Sequence, residues 1–126
     1  MGLISVYTES APKAVGPYSQ GIKAGNFLYV SGQIPIDPET STMVEGIEGQ
    51  TKMALKNAQA ILLEGGYTLE DVVKTTVYLQ NISDFAAMNE VYGTFFTDHK
   101  PARAAFEVAA LPLNAQVEIE MIAYKE

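Results

Sequence analysis

Two glutamates, Glu118 and Glu120, stand two residues apart in the apolar segment Val117-Glu118-Ile119-Glu120. In an extended backbone they share one face. Solvated or ion-paired, they are structural. Partly buried, at least one of them can orient a water or exchange a proton. Burial raises a carboxyl pKa and a nearby guanidinium lowers it. Arg103 follows Pro101-Ala102 and enters a run of small and apolar residues. Its planar fork suits a carboxylate, from a side chain or from a substrate. Glu107, Glu118 and Glu120 are its candidate partners within the chain. Both roles combine if a glutamate holds the arginine while its free edge takes a ligand. The turn Gly16-Pro17-Tyr18-Ser19-Gln20 can place Tyr18 at a pocket wall, where its hydroxyl donates a hydrogen bond. Ser31-Gly32-Gln33 reads as a strand end at which glycine lets a ligand approach the backbone.

Other chemistries are poorly supported. The chain has no cysteine and one histidine, His99. Thiolate chemistry and a zinc site built from several histidines or cysteines are therefore excluded. Neither Ser19 nor Ser31 has a histidine partner legible in the sequence, so a hydrolase triad lacks support. His99 reads as a surface or capping residue near a helix end. Gly65-Gly66 is a helix stop and not a phosphate-binding loop.

These residues need elements to position them. Phe27 to Gly32 reads as a strand, and Pro35 to Thr42 as a polar surface loop. From Ile47 to Leu63 the apolar residues fall on one stripe of 3.6 period, which predicts an amphipathic helix stopped by Gly65-Gly66. Thr68 to Asp71 carries a hydroxyl followed three residues later by an acid, the signature of a capped turn. Val72 to Leu79 reads as a strand. A second helix starts near Ser83 or Asp84, buries Phe85, Met88, Tyr92, Phe95 and Phe96, and ends by Lys100, ahead of Pro101. Arg103 to Ala109 and Val117 to Tyr124 read as the last two strands. The order predicts an α+β domain over residues 1–126: a mixed sheet with both helices on one face. The other face carries too many apolar side chains for solvent, which suggests a partner surface, most simply another copy of the chain.

The chain has 126 residues, 48% of them hydrophobic and 18% charged, and a net charge of −7. That composition fits one folded core and argues against wholesale disorder. The negative charge and the lack of a basic run make nucleic acid and anionic membrane poor partners. No signal-like start or membrane-length apolar segment is visible, so the cytoplasm is the default location.

Several segments together resemble one family. They are Gly16-Pro17-Tyr18-Ser19-Gln20-Gly21, Ser31-Gly32-Gln33-Ile34-Pro35, Val73-Lys74-Thr75-Thr76-Val77, Asp84-Phe85 with Asn89, Tyr92 and Phe95-Phe96, Pro101-Ala102-Arg103, Glu107-Val108-Ala109, Leu111-Pro112, and Val117-Glu118-Ile119-Glu120. Their order and spacing are similar to those of the reactive intermediate deaminase (YjgF/RidA) family over nearly the whole chain. The resemblance implies a chorismate-mutase-like fold and a homotrimer with ligand clefts between subunits. It implies hydrolysis of enamines and imines, such as 2-aminoacrylate, 2-iminopropanoate and 2-iminobutanoate, to 2-oxo acids and ammonium, without metal or organic cofactor. Clearing them would protect pyridoxal-phosphate enzymes.

By the same resemblance Arg103 clamps the substrate carboxylate and Glu118 orients water or handles protons. Tyr18, contributed across an interface, lines the pocket with Ser31, Gly32 and Asn89, and Glu120 has a structural or interface role. Ala105 stands where many members have cysteine, and Phe106 where a smaller aliphatic residue is common. Both bear on the pocket wall. Imine hydrolysis needs no thiol, so Ala105 leaves the implied activity intact. Two rival functions remain. One is a ligand-sensing or interaction trimer without turnover. The other is an endoribonuclease or translation inhibitor, a label attached to family members, which the acidic charge and single histidine disfavour here.

Overall fold

A computed structural model describes residues 2–126. Strands β1 (Ile4–Val6), β2 (Gly21–Ala24) and β3 (Phe27–Gln33) come first. A small hairpin, β4 (Ile36–Asp37) and β5 (Thr42–Met43), leads into helix α1 (Ile47–Glu64). Then come β6 (Val72–Leu79), α2 (Phe85–Phe95), β7 (Ala102–Glu107) and β8 (Val117–Tyr124). Six strands form one sheet in the order β1-β2-β3-β8-β6-β7. β6 and β7 are parallel, and the other pairings in that sheet are antiparallel. Parallel neighbours need a crossover, and α2 supplies it. β8 comes last in chain order yet lies between β3 and β6, in the interior of the sheet.

The alternation along β8 sets the two faces. Val117, Ile119, Met121 and Ala123 are buried, while Glu118, Glu120, Ile122 and Tyr124 are half-buried on the other side. Ala54, Leu55, Ala58, Ile61 and Leu62 of α1 pack on the first face, with Met88 and Tyr92 of α2 and Phe96 just beyond it. Both predicted helical stripes therefore cover one side of a mixed sheet. The opposite side is aromatic and aliphatic. Phe27 packs at a tilt against Tyr124 at 4.9 Å between ring centroids, and Tyr78 meets Phe106 edge-on at 5.5 Å. Tyr29 and Phe106 are nearly half exposed there. Among the described residues no helix is long and apolar enough to cross a membrane.

Three expectations shift in detail. The segment from Pro35 to Thr42, read as a loop, holds the β4–β5 ladder. Pro38 falls in its turn, where it breaks no ladder bond. The Asn57 amide of α1 donates to the carbonyls of Ile34 and Ile36 at 3.2 and 2.9 Å, which fastens this hairpin to the helix. The strand expected to run to Ala109 stops at Glu107, because its partner β6 ends opposite, at Leu79. Of the two stop glycines, Gly65 stays helical at φ −80° and Gly66 alone takes the left-handed turn at φ +89°. The Thr68–Asp71 cap forms as predicted, with the Asp71 carboxylate accepting the Thr68 N–H at 2.8 Å.

Candidate active site

Arg103 is the only arginine in the chain. It lies on β7 opposite Thr75 of β6, and its side chain reaches the helix side of the sheet. Phe85, Asn89 and Tyr92 recur at helical spacing on α2 and present one stripe to it. The guanidinium carbon sits 4.8 Å from the Tyr92 ring centroid and 5.5 Å from that of Phe85. Nη1 donates to Asn89 Oδ1 at 2.6 Å. Beneath it, the hydroxyls of Tyr92 and Thr75 share a buried 2.7 Å hydrogen bond. Burial raises the Tyr92 phenol pKa, and the bond to Thr75 and the charge of Arg103 pull it partly back. Ala105 occupies the same strand two residues on and packs against the core.

The expected glutamate clasp on Arg103 does not form within the chain. Glu107 accepts the Ile82 N–H at 2.8 Å. Glu118 and Glu120 lie on the other face. The reason is register: Arg103 aligns through Thr75 with Met121, whose side chain points to the helices.

Glu118 belongs to a second cluster. A Cβ placed on Gly32 would stand 2.0 Å from Glu118 Oε2 and 2.9 Å from its Cδ. The carboxyl group thus rests directly on the bare glycine backbone, and any side chain at position 32 would displace it. The β3–β8 register shifts here, between Val30 and Gln33. Burial raises the Glu118 pKa above the usual carboxyl value, and the negative charge of Glu120 adds to the effect. Tyr78 Oη donates to Glu120 Oε1 at 2.9 Å. The Tyr78 pKa is pushed up to about 12 by burial first, then by that bond and by the charges of Glu120 and Glu118.

The Tyr18 segment is tied to this cluster. Ser31 Oγ donates to the Ser19 carbonyl at 2.6 Å. Buried Gln20 accepts the Thr8 N–H at 2.7 Å and donates to the Pro12 carbonyl at 2.8 Å. Tyr18 and Gly32 line a cavity of about 670 Å³, with Gln33, Ile34 and Leu113 among its other walls. Leu113 holds a left-handed φ of 56°, uncommon for a branched side chain. His99 lies after α2, but its Nε2 bonds the Val72 carbonyl at the start of β6 at 2.6 Å, so it fastens a strand instead of capping the helix. No group of three or more His, Asp and Glu among the described residues is placed to hold a metal ion.

The candidate residues therefore fall into two separate clusters in one chain. Arg103, Asn89 and Ala105 form one, and Tyr18, Ser31, Gly32 and Glu118 form the other. Sequence reasoning placed Phe85 and Tyr92 in the core stripe and missed that the same stripe carries the guanidinium. Their spacing from Asn89 was the available signal. The partnerships of Thr75 with Tyr92 and of Tyr78 with Glu120 had no local signal.

Comparison with known proteins bears on the fold and motifs alike. The family model described as endoribonuclease L-PSP matches residues 8–125. The chain belongs to the YjgF/RidA family. A RutC family protein of Pyrococcus horikoshii is 58% identical over 122 residues, covering 96% of this chain and 97% of that protein. A 2-iminobutanoate/2-iminopropanoate deaminase of Salmonella typhimurium is 44% identical over 124 residues, covering 96% and 97%. Among solved structures, E. coli TdcF with bound serine matches at a TM-score of 0.94 and 38% identity, covering 98% of this chain and 99% of that one. The motif resemblance and the α+β sheet with two helices on one face both hold for this YjgF/RidA member.

Proposed function

We propose that the protein hydrolyses reactive imines of small 2-amino acids, 2-iminopropanoate and 2-iminobutanoate, to 2-oxo acids and ammonia. Enamines such as 2-aminoacrylate enter after tautomerising. The observation that carries this reading is the state of Arg103. The chain's only guanidinium is held by a neutral amide and two ring faces instead of a carboxylate. Its charge is left for an anionic ligand. In this reading the substrate carboxylate pairs with Arg103, which orients the C=N carbon. A water held by Glu118 adds to that carbon. Glu118, with its raised pKa, accepts a proton from the water and returns one to nitrogen as the C–N bond breaks. Imine plus water gives 2-oxo acid plus ammonia, and the atoms balance.

Because the two clusters face opposite ways in one chain, a cleft is completed by a neighbour in a homotrimer. The aromatic face opposite the helices supports such assembly. The setting is the cytoplasm, beside the pyridoxal-phosphate enzymes that release these imines. A second reading, binding without turnover, is favoured by the serine bound to TdcF.

The test is the decay of 2-aminoacrylate generated in situ by a dehydratase. The expected result is acceleration by wild type and a loss of about a hundredfold in kcat/KM for Arg103→Ala at equal oligomeric state. Equal acceleration by both would overturn the clamp. Acceleration by neither, with related imines also tried, would leave the binding trimer.

A further inference from the structure

We propose that Thr75 and Tyr92 are positioning residues for Arg103, forming a lock between sheet and helix that aims the guanidinium at its ligand. The inference rests on reading Arg103 as a carboxylate clamp and goes one layer beneath it.

Arg103 stands on β7, a strand at the end of the sheet order, so it has a strand neighbour on one side only. A long side chain there has many rotamers open to it, and a clamp works only if one is held. Four links close a ring around it. Thr75 is its direct backbone partner on β6. The Thr75 hydroxyl bonds the Tyr92 hydroxyl at 2.7 Å. The Tyr92 ring lies under the guanidinium at 4.8 Å. Asn89, one turn earlier on α2, accepts from Nη1 at 2.6 Å. The ring face supplies an attractive seat for the cation, and the amide fixes its rotation, leaving the other N–H groups of the fork for a carboxylate.

The choice of residue types points the same way. Thr75 is fully buried on a strand that otherwise turns Val72, Val77 and Leu79 to the core, where valine would pack as well. Tyr92 is 7% exposed and stacks on Phe96, so phenylalanine would fill the same stripe. Two hydroxyls in an apolar core are costly unless each satisfies the other. Core packing alone explains neither. Together they pin the far end of the Tyr92 ring, which fixes the plane that the guanidinium rests on.

The experiment compares wild type with Thr75→Val, Tyr92→Phe and the double variant. Three readouts are used: melting temperature, calorimetric binding of 2-oxobutanoate, and the ¹⁵N–¹H resonance of the arginine Nε. The chain has one arginine, so that resonance needs no assignment. Each single variant strands one buried hydroxyl and melts lower. The double variant strands none and regains most of the melting temperature. The lock predicts that the double variant still binds 2-oxobutanoate about tenfold more weakly. Its KM rises more than its kcat falls, and its Nε resonance moves toward that of free arginine. Binding that recovers in step with melting temperature, or an unmoved Nε resonance, overturns the lock and leaves the pair structural. Wild type that fails to bind 2-oxobutanoate overturns the clamp and the lock with it. Wild type that binds but turns over no imine overturns only the deaminase reading, and the comparison of variants still decides the lock.

Discussion

At Glu118, stability and chemistry pull in opposite directions. Burial, then the charge of Glu120, raises its pKa above the usual 4.5. The folded state thus binds this proton more tightly than the unfolded chain does. Between the unfolded and folded pKa values the fold loses stability as pH rises, and above the folded value the full cost of a desolvated charge is present. Glu118→Gln should therefore melt higher than wild type at pH 7. The gain should vanish as pH falls below the unfolded value, where both side chains are neutral. Calorimetry at pH 7 and pH 4 checks it, and a lower melting temperature for the variant at pH 7 would contradict the desolvation argument. The same variant should lose imine turnover. The partial burial of Glu118 was one reading that two acids in an apolar strand allowed. Its seat on Gly32 was not legible, because that contact depends on a long-range pairing and a register shift that no local pattern encodes.

At the scale of elements, helix α1 shows how local rules suffice. Its apolar stripe and its glycine stop were legible, since 3.6 periodicity and positive φ are properties of short segments. Gly66 tests the second rule cleanly. At φ +89° a Cβ would meet nothing within 4 Å, so a side chain there is penalised through the backbone alone. Gly66→Ala should cost about 1 kcal/mol, measured by urea unfolding, and Gly66→Asn less. A neutral Gly66→Ala would mean that the helix end can relax into another stop. The β4–β5 hairpin was illegible for the converse reason. Pro35, Pro38 and a polar run are loop signals, and the Asn57 and Gln50 amides that fasten this segment to α1 leave no trace in its local pattern.

At the scale of the whole molecule, strand alternation told which residues of β7 and of β8 share a face. It could not tell that Arg103 and Glu118 point to opposite faces, because the relative phase of two strands is set by their pairing through β6. That geometry makes a prediction about assembly. If each cleft takes Arg103 from one subunit and Glu118 from its neighbour, Arg103→Ala and Glu118→Gln should each be inactive alone. Mixed and allowed to exchange subunits at equal amounts, they should regain about one quarter of wild-type turnover, since half the donors of each kind are intact. No recovery after verified exchange would place the whole site in a single chain. The position of β8 has a consequence of another kind. The strand that joins β3 to β6 follows every other strand of this sheet in chain order. Until Val117–Tyr124 docks, the chain holds two half-sheets with no seam, and α1 lacks one of the two main strands it packs on. Folding of this domain must wait on β8, whose partners lie far back along the chain, and such long-range pairing is slow.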